Sequence, residues 1–460
     1  MGIIPDRAGE GRKGRRLRRR ELRTNAPSGN ANPGCRSSSS GRIFFAVAVT
    51  SGFKRRHNGF MRRPSSPLLF AALALSAIHA TAQTAAPTPT PTQDPTGFAR
   101  PLPGITEAEK DAFAAGSADF NTVETPETGL GPIYNNVSCL SCHNVPALGG
   151  SSVTTVTRFG ETAGGVFNPL KSLDGSLLHS KAIAPILQEA VPPQANTTAL
   201  RITPALYGDG LIEEIPDATI IANSQLPKPA GIGGRVAIIT DVATGETRVG
   251  RFGWKAQHAT LLGISGDALN NEIGITNRLY PKAAAPDGNE ALLAEFVSPT
   301  APIEDQPNPI TGLSEIDRLA NYIRFLGPPP PGPASTAAAA GQQLFASLGC
   351  ISCHTPSMNT GPNPVAALSN QTANLYSDLL LHDMGSLNDG IAQADAGPNE
   401  MKTPPLWGVR AKSAFLHDGR AATLDAAILD HAGEAQAAST AYSKLRLAER
   451  QDLIAFLRTL

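Results

Sequence analysis

The chain has 460 residues, 41% of them hydrophobic, and its 39 basic and 39 acidic side chains cancel. That length allows two or three globular domains. The charge is unevenly spread: residues 1–60 hold 14 Lys/Arg against three acids, whereas residues 83–460 hold 23 basic and 36 acidic residues, a net of −13. An acidic body of this kind excludes nucleic acid as a partner.

In isolation, the basic run from Gly11 to Arg20 reads as a nucleic-acid-binding tail. The segment from Met61 contradicts that. It runs MRRPSSPLLFAALALSAIHATAQ, with a short positive start, an apolar run from Leu68 to Ile78, and Ala80-Thr81-Ala82 before Gln83. This is the pattern of a signal peptide with its cleavage site. A signal peptide is read at the N-terminus, so translation is expected to start at Met61. Residues 1–60 are then a misassigned upstream extension, 61–82 the signal peptide, and 83–96 a Pro/Thr linker with nothing to bury. The apolar run is too short for a membrane span, and no other segment reaches ~18 apolar residues. The mature protein is expected to be soluble, exported and periplasmic.

Of five cysteines, Cys35 lies in the extension, and the other four form two copies of one motif. These are Cys139-Leu-Ser-Cys142-His143 and Cys350-Ile-Ser-Cys353-His354. CxxCH is the attachment signature of c-type haem: two thiols bond the porphyrin and the adjoining His ligates the iron. A zinc site, a disulfide or a thioredoxin-like pair would not require a His directly after each second Cys. The motifs therefore predict two covalently bound c-type haems, with His143 and His354 as iron ligands.

Two further segments repeat. Leu313–Leu326 and Leu447–Leu460 align without gaps, sharing Leu313/Leu447, Glu315/Glu449, Leu319/Leu453, Arg324/Arg458 and Leu326/Leu460. Their apolar spacing predicts amphipathic helices that close two similar domains. Gly341 to Cys350 reads as the helix leading into the second motif, after a stiff Pro-rich linker from Gly327. The expected fold is mainly α: a cytochrome c-like domain over 97–327 and a second over 337–460. The first is enlarged, in part by a β-hairpin from Arg235 to Gly253 turning at Thr244-Gly245.

The iron's sixth ligand in such a domain comes from a loop before the closing helix, usually as Met or His. In the second domain the candidates are Met358, His382, Met384, Met401, His417 and His431. His431 lies 16 residues before Leu447, where that loop belongs. Met358 is too near the CxxCH to reach across the ring.

Several stretches resemble the bacterial di-haem cytochrome c peroxidase superfamily, nearest its di-haem oxidoreductase branch. They are Leu130–Asn144, Gly250–Leu262, Asn271–Asn277, Tyr376–Ser386, Lys402–Arg410, Phe415–Leu424 and His431–Glu434, in that order over roughly 100–460. The resemblance implies that the N-terminal haem is peroxidatic and the C-terminal haem receives electrons. It makes Trp254 an electron stepping stone between the haems. Glu272, in Asn-Glu-Ile-Gly, becomes the catalytic acid/base. His431 stands where the electron-transfer haem has its Met, and Arg420, in His-Asp-Gly-Arg, becomes a partner for a haem propionate. The implied partners are a small-molecule oxidant such as hydrogen peroxide and a small periplasmic electron-donor protein.

Two departures are visible. The Gln that precedes the catalytic Glu in peroxidases has no counterpart in Leu261-Leu-Gly-Ile-Ser, and the stretch matching the superfamily's calcium site holds Lys412 and Ala414, so calcium is not assigned. The reading is a peroxidase-like di-haem oxidoreductase; the alternative is a non-catalytic di-haem electron-transfer cytochrome.

Overall fold

A computed structural model describes residues 97–298 and 301–460. The upstream extension, the signal peptide and the Pro/Thr linker, all within 1–96, lie outside the described residues. Among those described, no helix is long and apolar enough to cross a membrane. The described residues group as one unit.

Two helix crossings form its frame. Helix Glu107–Asn121 starts at a capping box, Thr106 with Glu109, and helix Glu315–Phe325 at another, Ser314 with Asp317. They pack through Phe113, Phe120 and Tyr322, with ring centroids 5.1 and 4.9 Å from Tyr322. Close approach depends on Gly116, where an added methyl would fall on the Arg318 carbonyl oxygen. The second crossing repeats the device. Helix Thr336–Ser347, capped by Ser335, packs on helix Leu447–Leu457 through Phe345 and Phe456, centroids 5.2 Å apart. Here Gly341 lies against the Asp452 carbonyl oxygen. Both closing helices match their expected positions. The helix before the second motif begins at Thr336 rather than Gly341, and the Pro-rich segment packs on both sides, Gly327 N–H donating to Arg100 O and Gly332 N–H to Thr459 O.

The expected hairpin is present, Ala237–Thr240 pairing with Thr247–Gly250 across the turn at Thr244-Gly245. A larger sheet was not foreseen. Strand Thr155–Ala163 pairs antiparallel with Val166–Asn168, Leu177–Leu178 and Thr197–Ile202. In the second half Leu381–Asp383 pairs with Glu400–Lys402, and Met358–Asn359 with Thr372–Ala373. The mainly-α expectation is therefore corrected: helices and short strands are mixed. Most strands run two to four residues, too few for a period of two to register against intervening Gly and Pro.

A second duplication appears once the fold is known. Thr203-Pro-Ala-Leu-Tyr-Gly208 and Thr403-Pro-Pro-Leu-Trp-Gly408 both end on a glycine with φ 75°. Gly208 packs on the Trp407 ring and Gly408 faces Tyr207, so the repeats meet each other.

Gly116→Ala and Gly341→Ala should each lower the unfolding free energy by about 1–3 kcal/mol, the usual cost of overpacking a close contact. Denaturant unfolding followed by far-ultraviolet circular dichroism checks this; unchanged midpoints would show that the crossings have room to spare.

Candidate active site and haem centres

The first centre is built on one tight turn. Cys142 N–H donates to Cys139 O at 3.1 Å and His143 N–H to the same oxygen at 2.9 Å, which gathers Cys139, Cys142 and His143 on a single turn. His143 Nδ1 lies 3.0 Å from Gly150 O, and the ring meets Phe120 edge-on at 5.7 Å. Burial pushes His143 down to about 4, so the ring is neutral at physiological pH. With Nδ1 tied to a carbonyl, Nε2 carries the free lone pair that metal ligation requires.

The second centre repeats this geometry. His354 N–H donates to Cys350 O at 2.9 Å, and His354 Nδ1 lies 3.0 Å from Tyr376 O. Burial holds His354 at about 4 as well. Opposite it stands His431, whose Nδ1 is 2.7 Å from Ala427 O. The two ring centroids are 6.5 Å apart. Two imidazoles bound to one metal from opposite sides, each by a bond of about 2 Å, stand roughly 6 Å apart. Cys350, Cys353, His354 and His431 all line one largely apolar cavity with Trp254, Phe345, Phe415 and His417. A paired imidazole set, two thiols and an apolar slot fit a c-type haem.

Glu272 sits in the π-helical turn Leu269–Ile273, which continues helix Leu261–Ala268. Its backbone oxygen accepts from Asn135 and Asn136 N–H at 2.8 and 3.1 Å, tying it to the segment before the first CxxCH. Its Oε2 accepts from Asn135 Nδ2 at 2.9 Å, and Asn136 Nδ2 reaches Cys142 Sγ at 3.5 Å. Burial raises the carboxyl above its usual range, against the pull of Arg158, Asn135 and His179. Glu272 and the first cysteine pair thus share one neighbourhood.

Trp254 lies between the two centres' surroundings. Its Nε1 donates to Ile202 O at 2.9 Å, and it meets His417 edge-on at 6.4 Å. Ile202 lines the second cavity, Thr203 lies beside Cys142, and the Pro204 backbone lies beside His143. Three consecutive residues therefore run from one centre to the other, with Trp254 fastened to the first of them.

Other candidates fall elsewhere. His382 has both nitrogens engaged: Nε2 lies 2.9 Å from Asp378 Oδ2 and Nδ1 2.7 Å from Glu434 Oε2, so neither is free for iron. Burial alone would lower it, but hydrogen bonds to Asp378, Cys353 and Glu434 prevail and push it up to about 11. Arg420 is exposed and its Nε donates to Asp418 at 2.6 Å; it does not line the cavity. The cations that do are Lys402 and Lys412, both held down to about 8 by burial.

Sequence reasoning missed the charges around Glu272. Arg158 arrives on the unforeseen sheet, and His179 with Glu189 on the loops beyond it. No motif marks them. It also missed Lys255, fully buried with Nζ 2.8 Å from Asp389 Oδ1 and among the carbonyls of Gly397, Pro398 and Glu400. One signal was available: Phe252–Leu261 aligns with Phe415–Leu424, which sets Trp254 against His417 and makes Thr260 and Thr423 equivalent helix caps.

A family model described as "Di-haem oxidoreductase, putative peroxidase" matches residues 187–460. The chain belongs to this family, and is an oxidoreductase whose membership implies haem cofactors. No curated protein matches it. Among solved structures it is similar to a MauG-like protein associated with microbial copper homeostasis, at 17% identity over 80% of this chain and 94% of that one, TM-score 0.37. It is similar to the diheme peroxidase BthA from Burkholderia thailandensis, at 16% identity over 79% and 87%, TM-score 0.34. A Kuenenia stuttgartiensis hydrazine synthase is 15% identical over 86% and 100%, TM-score 0.36.

His382 yields a pH prediction. Its folded pKa, about 11, lies above its ordinary 6.5, so its stabilisation is complete below about pH 6.5 and fades as pH rises toward 11. His382→Leu should cost about 3–5 kcal/mol at pH 6, as breaking a buried ion pair does, and less at pH 9. Unfolding free energies of both proteins at the two pH values test this; a gap that widens with pH would refute the assignment.

Proposed function

We propose that the chain is a periplasmic di-haem c-type oxidoreductase of the peroxidase kind. In this reading, hydrogen peroxide is reduced at the N-terminal centre with electrons that a small donor protein supplies through the C-terminal centre. The observation that carries it is the difference between the centres. Each CxxCH histidine has a phenylalanine beside it, Phe120 at His143 and Phe345 at His354. His354 is also faced by His431 at 6.5 Å, whereas among the described residues no second imidazole lies against His143, and Glu272 is among the acids near its cysteine pair. One centre is thus furnished to hold iron from both sides, the other to leave one side to an oxidant.

The residues divide the work. Cys139 and Cys142 would bind one haem and Cys350 and Cys353 the other, with His143 and His354 as ligands and His431 completing the second set. A haem so held supplies an iron that binds oxidant and passes electrons. Glu272 moves a proton between the two peroxide oxygens, which lets water depart instead of hydroxide. Trp254, fastened to the Ile202–Pro204 bridge, places an aromatic ring on the electron's route. Lys402 and Lys412 supply positive charge for propionates at the second centre, the role expected of Arg420. The two cytochrome c-like halves, 97–327 and 337–460, are supported by the repeated helix crossing and the repeated Thr-Pro-x-Leu-aromatic-Gly segment.

Cys139→Ala with Cys142→Ala should leave one covalent haem per chain, and so should Cys350→Ala with Cys353→Ala; a pyridine haemochrome assay counts them. His431→Gly should turn the second haem from low-spin to high-spin in the diferric electron paramagnetic resonance spectrum, and His382→Gly should not. The reverse result would move the ligand.

Glu272→Gln should keep both haems and slow the reaction with hydrogen peroxide by about 10²–10⁴-fold, read by stopped-flow spectroscopy. Trp254→Phe should leave that step intact and slow the arrival of electrons from the second haem. Wild-type protein, fully or half reduced, that shows no spectral response to peroxide would replace this reading with an electron carrier.

A further inference from the structure

Beyond the proposed iron ligands, His179 is a buried imidazole with an unused nitrogen. It is 2% exposed. Its Nδ1 lies 2.9 Å from Glu189 Oε2, which also accepts the His179 backbone N–H at 2.8 Å. The other carboxylate oxygen accepts from Asp287 N–H at 3.2 Å. Nε2 is buried and has no hydrogen-bond partner among the described residues. A carboxylate held in this way keeps the ring proton on Nδ1 and leaves the lone pair on Nε2.

The fold brings this ring to Glu272. The Asn135 carboxamide ties Glu272 to the backbone beside His179, its Nδ2 donating to Glu272 Oε2 at 2.9 Å and its Oδ1 accepting Ser180 N–H at 2.9 Å. The His179 ring lies within electrostatic reach of Glu272. Arg158 stands opposite Leu177, two residues before His179, and its Nε is also buried without a partner among the described residues. The sheet and the loop that follows its Leu177–Leu178 strand therefore deliver an arginine and a histidine to the neighbourhood of the candidate acid. His143 has Phe120 against its ring, and among the described residues no imidazole faces it as His431 faces His354.

We propose that His179, positioned by Glu189, is the base of the first centre, with Glu272 as its acid. The proposal rests on the peroxidase reading and divides the proton transfer given there to Glu272 between two groups. His179 Nε2 accepts the proton that hydrogen peroxide gives up on binding. Glu272, protonated, gives its proton to the outer oxygen as the O–O bond breaks, and that oxygen leaves as water. The second oxygen becomes water with two electrons from the donor protein and two protons, one from His179 and one from solvent. A second solvent proton restores Glu272, so one peroxide, two electrons and two protons yield two waters. The division suits the groups. Burial raises the Glu272 carboxyl, which biases it toward holding a proton to give, and Glu189 on Nδ1 leaves Nε2 as the acceptor of the His179 ring.

Cyanide separates this assignment from turnover, because hydrogen cyanide must lose its proton to bind ferric iron. The di-haem protein is mixed with cyanide and, separately, with hydrogen peroxide, using wild type, His179→Gln, Glu189→Gln and Glu272→Gln. Both rates should fall by about 10²–10⁴-fold in His179→Gln, with the diferric paramagnetic resonance spectrum unchanged. Glu189→Gln, which keeps the ring, should slow both by a smaller factor, and Glu272→Gln should slow peroxide alone. Unchanged cyanide binding in both His179→Gln and Glu189→Gln overturns the proposal. A changed spin state at the first haem in His179→Gln overturns it too, by making His179 an iron ligand. A wild type whose cyanide binding depends on His179 but which ignores peroxide supports the base and overturns the peroxidase reading.

Discussion

The candidate chemistry depends first on how an imidazole is presented. A neutral ring offers a metal one nitrogen only when the other is committed. His143, His354 and His431 each commit Nδ1 to a backbone carbonyl, of Gly150, Tyr376 and Ala427. Carbonyls are fixed by the chain path, so each ring's direction is inherited from its loop. Gly150 shows how tight that inheritance is, since a side chain there would run into the Val145 carbonyl oxygen. Burial then keeps the rings uncharged. The helix crossings behind them brace the arrangement: Phe120 and Tyr322 back the first turn, Phe345 and Phe456 the second.

On this duplicated frame the two halves carry different fillings. Thr260 and Thr423 cap corresponding helices. Beyond the first cap the chain passes through a π-turn that presents Glu272; beyond the second it leaves the helix and presents His431. Trp254 and His417 occupy matching positions and touch each other. The carboxylate and the imidazole therefore follow corresponding caps, 12 residues after Thr260 in one case and 8 after Thr423 in the other. The extra turn width of a π-bulge, common at functional sites, re-aims the side chain without disturbing the crossing beneath it.

The parts legible in the sequence were those encoded locally. CxxCH is five consecutive residues, and both closing helices and the hairpin announce themselves by short-range period and turn chemistry. His431 was singled out by its distance from a helix, and its ring lies 6.5 Å from that of His354. Other features arise from contacts distant in sequence. Thr155–Ala163 finds its main partner some 40 residues later, and the two-residue strands have no pattern of their own. His382 stood behind His431 as a ligand candidate by position alone; only the fold shows that Asp378 and Glu434 consume both its nitrogens. Arg420 was placed by motif, but the nearer Asp418 takes its guanidinium, while Lys412 stood only as a departure from the calcium stretch and Lys402 only as the start of a matching one, neither as a cation of the cavity.

The distribution of unpaired polar atoms argues in the same direction. Among the described residues, seven buried side-chain atoms lack a hydrogen bond, all between Arg158 and Tyr322. Two of these are only misdirected, since Arg201 Nη2 and His258 Nε2 lie 2.7 and 3.3 Å from Asp389 and Asp267 carboxylates. The others include Arg158 Nε and His179 Nε2, both near Glu272, and Tyr322 OH behind the first cysteine turn. Leaving such a group unsatisfied costs about 1–3 kcal/mol, so unpaired groups are uncommon in folded proteins. In the second half Asp378 takes both His382 and Lys228, and Glu434 takes the other His382 nitrogen. The uncommitted donors and acceptors gather in the half that also holds Glu272.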